Sequence, residues 1–226
     1  MSRRELPIER LQPVCELLVT RFGSVGWWPA EHPFEVMVGA VLVQNTRWAN
    51  AERAITGLWD EGCLRPAALL ALPEARLVAL LRPAGCQSVK SVRLRGLATW
   101  VEAGGGIDTL KRQHTMQLRA GLLSLSGVGF ETADAILCYA FDRAQFVADR
   151  YARRLLGRLG VFDPAVTNDY ERCRTEMQGR LAWSAGRLQK LHAAIVRISQ
   201  AVCRGRPDCS ACVIAEHCKK NILINK

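Results

Sequence analysis

Apolar residues recur at helical spacing along almost the whole of this 226-residue chain, and no segment alternates as a half-buried strand would. Leu11, Cys15, Leu18 and Phe22 fall on one helical face, and Phe34, Val38, Val41 and Leu42 on another. Comparable patterns cover 48–59, 67–82, 88–103, 115–124, 130–141, 150–159 and 187–202. Clusters of Gly and Pro separate them: "GSVGWWP", "RPAG", "EAGGGI", "LSGVG" and "LGVFDP". The pattern predicts an all-α protein of about ten short helices, with no internal repeat and no low-complexity tract.

That length allows one large domain or two small ones, with a real core. Hydrophobic residues at 49% and charged residues at 23% are an ordinary globular balance. No apolar run reaches membrane-spanning length, and "MSRRELPIERLQP" has basic residues without an apolar stretch behind them, so a cytoplasmic protein is expected. A reducing cytosol disfavours disulfides, and the cysteines number nine, which is odd. Cys15, Cys63, Cys86, Cys138 and Cys173 lie among apolar neighbours, and most of them read as small buried hydrophobes.

The other four sit in "CRGRPDCSACVIAEHC", residues 203–218, as Cys203, Cys209, Cys212 and Cys218, spaced C-x5-C-x2-C-x5-C. Structural zinc sites usually bring together two close pairs, whereas here one close pair has two outliers. Compact four-thiolate runs with unequal gaps also ligate [4Fe–4S] clusters. Spacing leaves iron–sulfur, zinc and unliganded thiols all open. Arg204 and Arg206 lie in the first loop, where a fixed loop would present both guanidiniums to phosphates; ordinary solvated loop arginines are the alternative.

Charge is unevenly placed. Residues 1–149 carry 16 Lys and Arg against 15 Asp and Glu, and residues 150–226 carry 15 against 6, so nearly all of the net +10 lies in the C-terminal third. A basic part joined to a neutral part suits a polyanion partner, nucleic acid first, against the alternative of a solvated basic surface.

Two further stretches bear on that partner. In "LLSLSGVGFETADAILCYAF", residues 122–141, two amphipathic segments flank Ser126-Gly127-Val128-Gly129. Gly127 and Gly129 permit a hairpin tight enough for backbone N–H groups to approach a ligand, and the following helix adds its positive dipole end. Such a hairpin grips a phosphate without reading a base; a plain packing hairpin has the same sequence. In "QFVADRYARRLLGRLG", residues 145–160, Asp149 precedes a basic amphipathic helix and reads first as its N-cap. Capping does not exclude chemistry, because an ionised carboxylate fixed at a helix N-terminus can face a developing cation.

The glycine hairpin, an aspartate about twenty residues later and the C-terminal cysteine run, in that order, resemble the endonuclease III superfamily of helix-hairpin-helix DNA glycosylases with an iron–sulfur cluster. "GAVLVQNTRWANAERAI", residues 39–55, extends the resemblance, Gln44 matching a glutamine that the family inserts into DNA. The resemblance implies two helical lobes: a barrel lobe of 26–143 with the hairpin at 126–129, and a cluster lobe of 1–25 plus 144–226. It further implies a [4Fe–4S] cluster on the four cysteines, double-stranded DNA with damaged bases as partner, and a nucleoid-associated setting. No obligate protein partner is evident. Family members cleave the N-glycosidic bond of an extruded base. Asp149 matches the family's aspartate, which faces the positive charge growing on the sugar.

Several positions depart from the family. Bifunctional members carry a lysine in "GVGFETA" where this chain has Glu131, and a carboxylate cannot form the Schiff base that strand cleavage needs. Lys90 and Lys111 do not replace it in register. A monofunctional, hydrolytic glycosylase is therefore expected, although Glu131 also reads as an ordinary first-turn acid. "ETADAILCYA" is similar to the branch that removes 3-methyladenine and lacks the lysine, which favours alkylated purines. The first cysteine gap is one residue shorter than usual, Tyr151 stands where a histidine is common, and Cys86, Gln87 and Ser88 replace a bulky residue and Tyr-Asn in the wedge that enters the duplex. Trp27, Trp28 and Trp48 are candidates to stack on an extruded base, or to pack in the core. Three competing readings remain: a lesion-binding protein without catalysis, a bifunctional pyrimidine glycosylase using another amine, and a redox-sensing regulator, for which no base-reading helix is apparent.

Overall fold

The computed structural model describes residues 8–23 and 30–218, and every regular element in them is helical, with no strand. Along the chain the α-helices are α1 (Ile8–Phe22), α2 (Pro33–Leu42), α3 (Trp48–Asp60), α4 (Pro66–Ala71), α5 (Glu74–Leu81), α6 (Gln87–Ala103) and α7 (Ile107–Leu110). They continue as α8 (Thr115–Leu123), α9 (Phe130–Tyr139), α10 (Arg150–Leu159), α11 (Pro164–Thr167), α12 (Tyr170–Arg180) and α13 (Ala185–Ala201). The chain divides into two compact units, one of residues 28–143 and one of residues 1–27 with 144–226.

In the unit of 28–143, α2 is the axis. Its sequence PFEVMVGAVL is apolar all round except for Glu35 in the first turn, and every residue from Phe34 to Leu42 is buried. Such a helix must be surrounded, and α3, α6 and α9 pack around it. Leu94, Leu97, Ala98 and Val101 supply the buried stripe of α6 at i, i+3, i+4 and i+7. The helix expected over 67–82 is broken into α4 and α5, because Leu72 precedes Pro73 and takes an extended conformation, φ −60 and ψ 136. Arg95 of α6 donates across this break to the carbonyls of Leu70 and Leu72.

A buried ion pair fixes α8 against α9. Asp134 is fully buried on α9, and Arg119 of α8 donates Nε to Oδ1 at 2.7 Å and Nη2 to Oδ2 at 3.0 Å. Both oxygens of a buried carboxylate thus have a charged donor, the condition under which such a charge is tolerated. The Arg119 guanidinium also lies 5.4 Å from the Phe130 ring centroid.

In the other unit, α13 is central and packs on α1 and α10. Residues Ala152, Leu155, Leu156 and Leu159 form the buried stripe of α10, opposite an arginine-rich face. Gly160 ends that helix at φ 76, and Val161 N–H reaches back to the Leu156 carbonyl at 3.0 Å, a glycine-dependent C-cap.

Candidate functional site

Asp149 caps α10 as its sequence position predicts: Oδ1 accepts the Ala152 N–H at 2.7 Å. The residue is only 6% exposed. Its second oxygen, Oδ2, lies 3.7 Å from Nε2 of His192, a buried histidine on α13. One oxygen is therefore committed to the helix and the other is turned toward a titratable side chain. His192 was not visible in the sequence as a partner, since it stands among the buried residues of α13, 43 residues away. Two residues after Asp149, Tyr151 lies between two arginines, with the guanidiniums of Arg150 and Arg154 at 4.8 and 5.3 Å from its ring.

The helix that begins at Asp149 ends at the cysteine loop. Arg158, in the last turn of α10, donates to Sγ of Cys203 at 3.2 Å and to the carbonyls of Cys203, Arg204 and Gly205 at 3.0, 2.6 and 2.9 Å. Cys203, Cys209, Cys212 and Cys218 line one pocket of about 360 Å³ of empty space, open solvent included, closed by Leu155, Arg158 and Ile214. Burial raises the Cys212 thiol above its ordinary range, and the other three cysteines add to the rise. Among the described residues no three Cys, His, Asp or Glu side chains approach closely enough to share one metal ion. The pocket is nonetheless built of four thiols and a guanidinium N–H aimed at sulfur, a donor set suited to a thiolate-ligated cluster. Arg204 and Arg206 are exposed, as expected of that loop.

In the unit of 28–143 the hairpin 126–129 joins α8 to α9. Gly127 has φ 78, and a Cβ there would collide with the Arg93 side chain, which lies against its bare face. Gly129 is different: a Cβ built on it meets nothing within 4 Å. Val128 anchors the turn in the core and donates its N–H to the Leu125 carbonyl at 3.1 Å. Gln44, on the loop after α2, donates Nε2 to the Gly127 carbonyl at 3.0 Å and to Thr132 Oγ1 at 2.9 Å, and accepts from Arg93 Nη1 at 2.6 Å. Glu131 occupies the first turn of α9.

Further candidates among the described residues fall on the same unit. Cys86 is exposed and left-handed, at φ 47, with Gln87 opening α6 and Ser88 exposed beside it. Trp48 is half-buried at the start of α3, while Trp27 and Trp28 lie outside the described residues. Lys90 is 3% exposed, and Nζ donates to the carbonyls of Leu42 and Ala84, each at 2.8 Å. Desolvation lowers its amine below the usual lysine range. Among the described residues no helix is long and apolar enough to cross a membrane.

With the site laid out, comparison with known proteins defines its class. The family described as "HhH-GPD superfamily base excision DNA repair protein" matches residues 38–182. The chain is 38% identical over 218 residues to the protein named "Putative DNA repair glycosylase MJ1434" of Methanocaldococcus jannaschii, spanning 95% of this chain and 98% of that one. It is 26% identical over 191 residues to endonuclease III of Thermotoga maritima, 83% of each chain. The crystal structure of H. pylori 3-methyladenine DNA glycosylase (MagIII) bound to 1,N6-ethenoadenine matches with TM-score 0.67 at 26% identity, over 85% of this chain and 96% of that one. A non-covalent endonuclease III–DNA complex matches in fold with TM-score 0.77 at 18% identity, over 98% and 100%. The chain belongs to the HhH-GPD superfamily of base excision DNA repair proteins, and it is a DNA glycosylase with the all-α fold of endonuclease III.

Proposed function

We propose that the protein is a monofunctional glycosylase that hydrolyses the N-glycosidic bond of alkylated purines in double-stranded DNA and leaves the strand intact. The observation that carries this reading is the placement of Asp149, buried, capping α10 through Oδ1 and with Oδ2 3.7 Å from His192 Nε2. As the base departs, positive charge grows on the deoxyribose, and a fixed carboxylate lowers that barrier electrostatically and orients the attacking water. Alkylated purines already carry positive charge and leave readily, so little machinery is required to protonate them.

Two features argue against strand cleavage. Glu131 stands where an imine-forming lysine is needed, and a carboxylate has no such chemistry. Lys90, out of register with that position, is buried with its amine held by two carbonyls. The H. pylori relative, a 3-methyladenine DNA glycosylase at 26% identity, supports the substrate class.

DNA is held, in this reading, by the hairpin Gly127-Val128-Gly129 and by Arg204 and Arg206 of the basic lobe. Gln44 stands at the hairpin, and Cys86, Gln87, Ser88 and Trp48 are offered as the rebuilt wedge and lesion pocket. Cys203, Cys209, Cys212 and Cys218 hold a [4Fe–4S] cluster, supported by the shared four-thiol pocket and the Arg158 donor. Such a cluster, when bound, fixes the loop and supplies no step of the hydrolysis. The setting is the cytoplasm, on nucleoid DNA. Duplexes bearing alkylated purines, oxidised pyrimidines or mispairs, assayed for free base and for nicking, test the proposal: release of alkylated purine without nicking supports it, and borohydride trapping of a covalent complex contradicts it.

A further inference from the structure

We infer that Arg93 and Gln44 act as one bracket that sets the shape of the DNA-gripping hairpin, and that Arg93 is a positioning residue rather than a phosphate ligand. The inference rests on the hairpin role proposed above and adds the residues that make it work.

The geometry closes a loop of contacts around a single turn. Arg93 stands in the first half of α6, one turn beyond Lys90. Its Nη1 donates to Gln44 Oε1 at 2.6 Å, and its side chain lies against the bare face of Gly127. Gln44 returns the contact by donating to the Gly127 carbonyl and to Thr132 Oγ1 in the first turn of α9. Both ends of the hairpin, the turn and the entry to the next helix, are thus held by one amide, and that amide is oriented by one guanidinium. A terminal amide alone pivots freely, but a charge-assisted bond to its oxygen fixes which end donates.

Below this bracket, Lys90 ties the carbonyl of Leu42 to that of Ala84. Successive cations one turn apart on α6 therefore hold the segment before Gln44, the segment before Cys86, and the hairpin. The consequence for Gly127 is specific: its missing side chain admits Arg93, leaving Gly129 as the glycine whose open face meets DNA. A guanidinium used in this way contributes shape to binding and releases no counterion of its own.

Binding of a short undamaged duplex, measured across a range of NaCl concentrations, tests the bracket in the wild type, Arg93→Met, Gln44→Met and the double variant. Each single change is expected to weaken binding about tenfold, with the double variant no weaker than the worse single one, because the two side chains act as a unit. The salt dependence is expected to stay unchanged in Arg93→Met. A slope of log K against log salt that falls by about one would make Arg93 a direct phosphate contact and overturn the inference. Additive losses, or unchanged binding in either single variant, would overturn it as well. Arg93→Lys, which keeps a donor to the amide oxygen, is expected to recover part of the affinity and guards against a Met variant that folds poorly. Should the wild type itself lack duplex affinity, the proposed function fails and takes the bracket with it.

Discussion

His192 Nε2 lies 3.7 Å from Asp149 Oδ2, and both side chains are buried. The contact joins α13, the central helix of its unit, to the N-cap of α10. It sets an imidazole beside a carboxylate whose other oxygen is committed to the Ala152 N–H. His192→Leu is expected to lower single-turnover base release about tenfold, a cost of about 1.4 kcal/mol in barrier height, while duplex affinity stays the same. An equal loss in affinity would mean that the histidine supports the fold and not the carboxylate.

Gly129 offers a test in which folding and binding separate. Its backbone, φ −89 and ψ −179, suits any residue, and a Cβ there meets nothing within the protein. Gly129→Ala is expected to melt at the wild-type temperature and yet bind duplex several-fold more weakly, because the methyl group enters the space where a phosphate would approach. Thermal unfolding and a binding titration on the same preparation check it.

Arg158 is the link between α10 and the cysteine loop. Arg158→Met removes donors to one sulfur and three carbonyls and is expected to cost about 3 kcal/mol of stability. Iron and sulfide per purified chain should fall together. A variant with full iron content and an unchanged melting temperature would show that the contact does not support the loop.

Stability is also expected to fall in alkali. Burial pushes the Cys15 and Cys173 thiols up from 9.0 to about 12; Glu16 adds to the first shift, and for the second Arg153 opposes while Asp149 and Asp169 add. Below the unfolded value both states keep these protons and the contribution is constant. Between there and about 12 the unfolded chain loses them first, so each thiol lowers the unfolding free energy by about 1.4 kcal/mol per pH unit. Urea unfolding across that range should show the decline, and replacing both residues by Ala should flatten it.

Helices with a continuous apolar stripe were legible in the sequence, and α6, α9, α10 and α13 stand within two residues of the expected spans at each end. Helix α12 was not, because YERCRTEMQGR buries only Cys173 and Met177, too few for a period to register. Its signal was the cap, Asp169, which accepts the Arg172 N–H at 3.0 Å. The short α7 and α11 span four residues each and leave no stripe at all. At the site, capping chemistry and cysteine spacing marked Asp149 and the four thiols, since both are local. His192, Arg93 and Arg158 were not marked, because each acts on a residue 43 to 49 positions away and only folding brings them together. Gly127 was legible as a tight turn, but the occupant of its bare face was not.

The central claim is that one fixed carboxylate drives base release. Asn caps helices as well as Asp, so Asp149→Asn should keep the fold and remove only the charge. Single-turnover release of an alkylated purine from duplex DNA should fall about 10²- to 10³-fold in that variant, with duplex affinity and melting temperature preserved. Release at the wild-type rate by a folded Asp149→Asn protein would contradict the account.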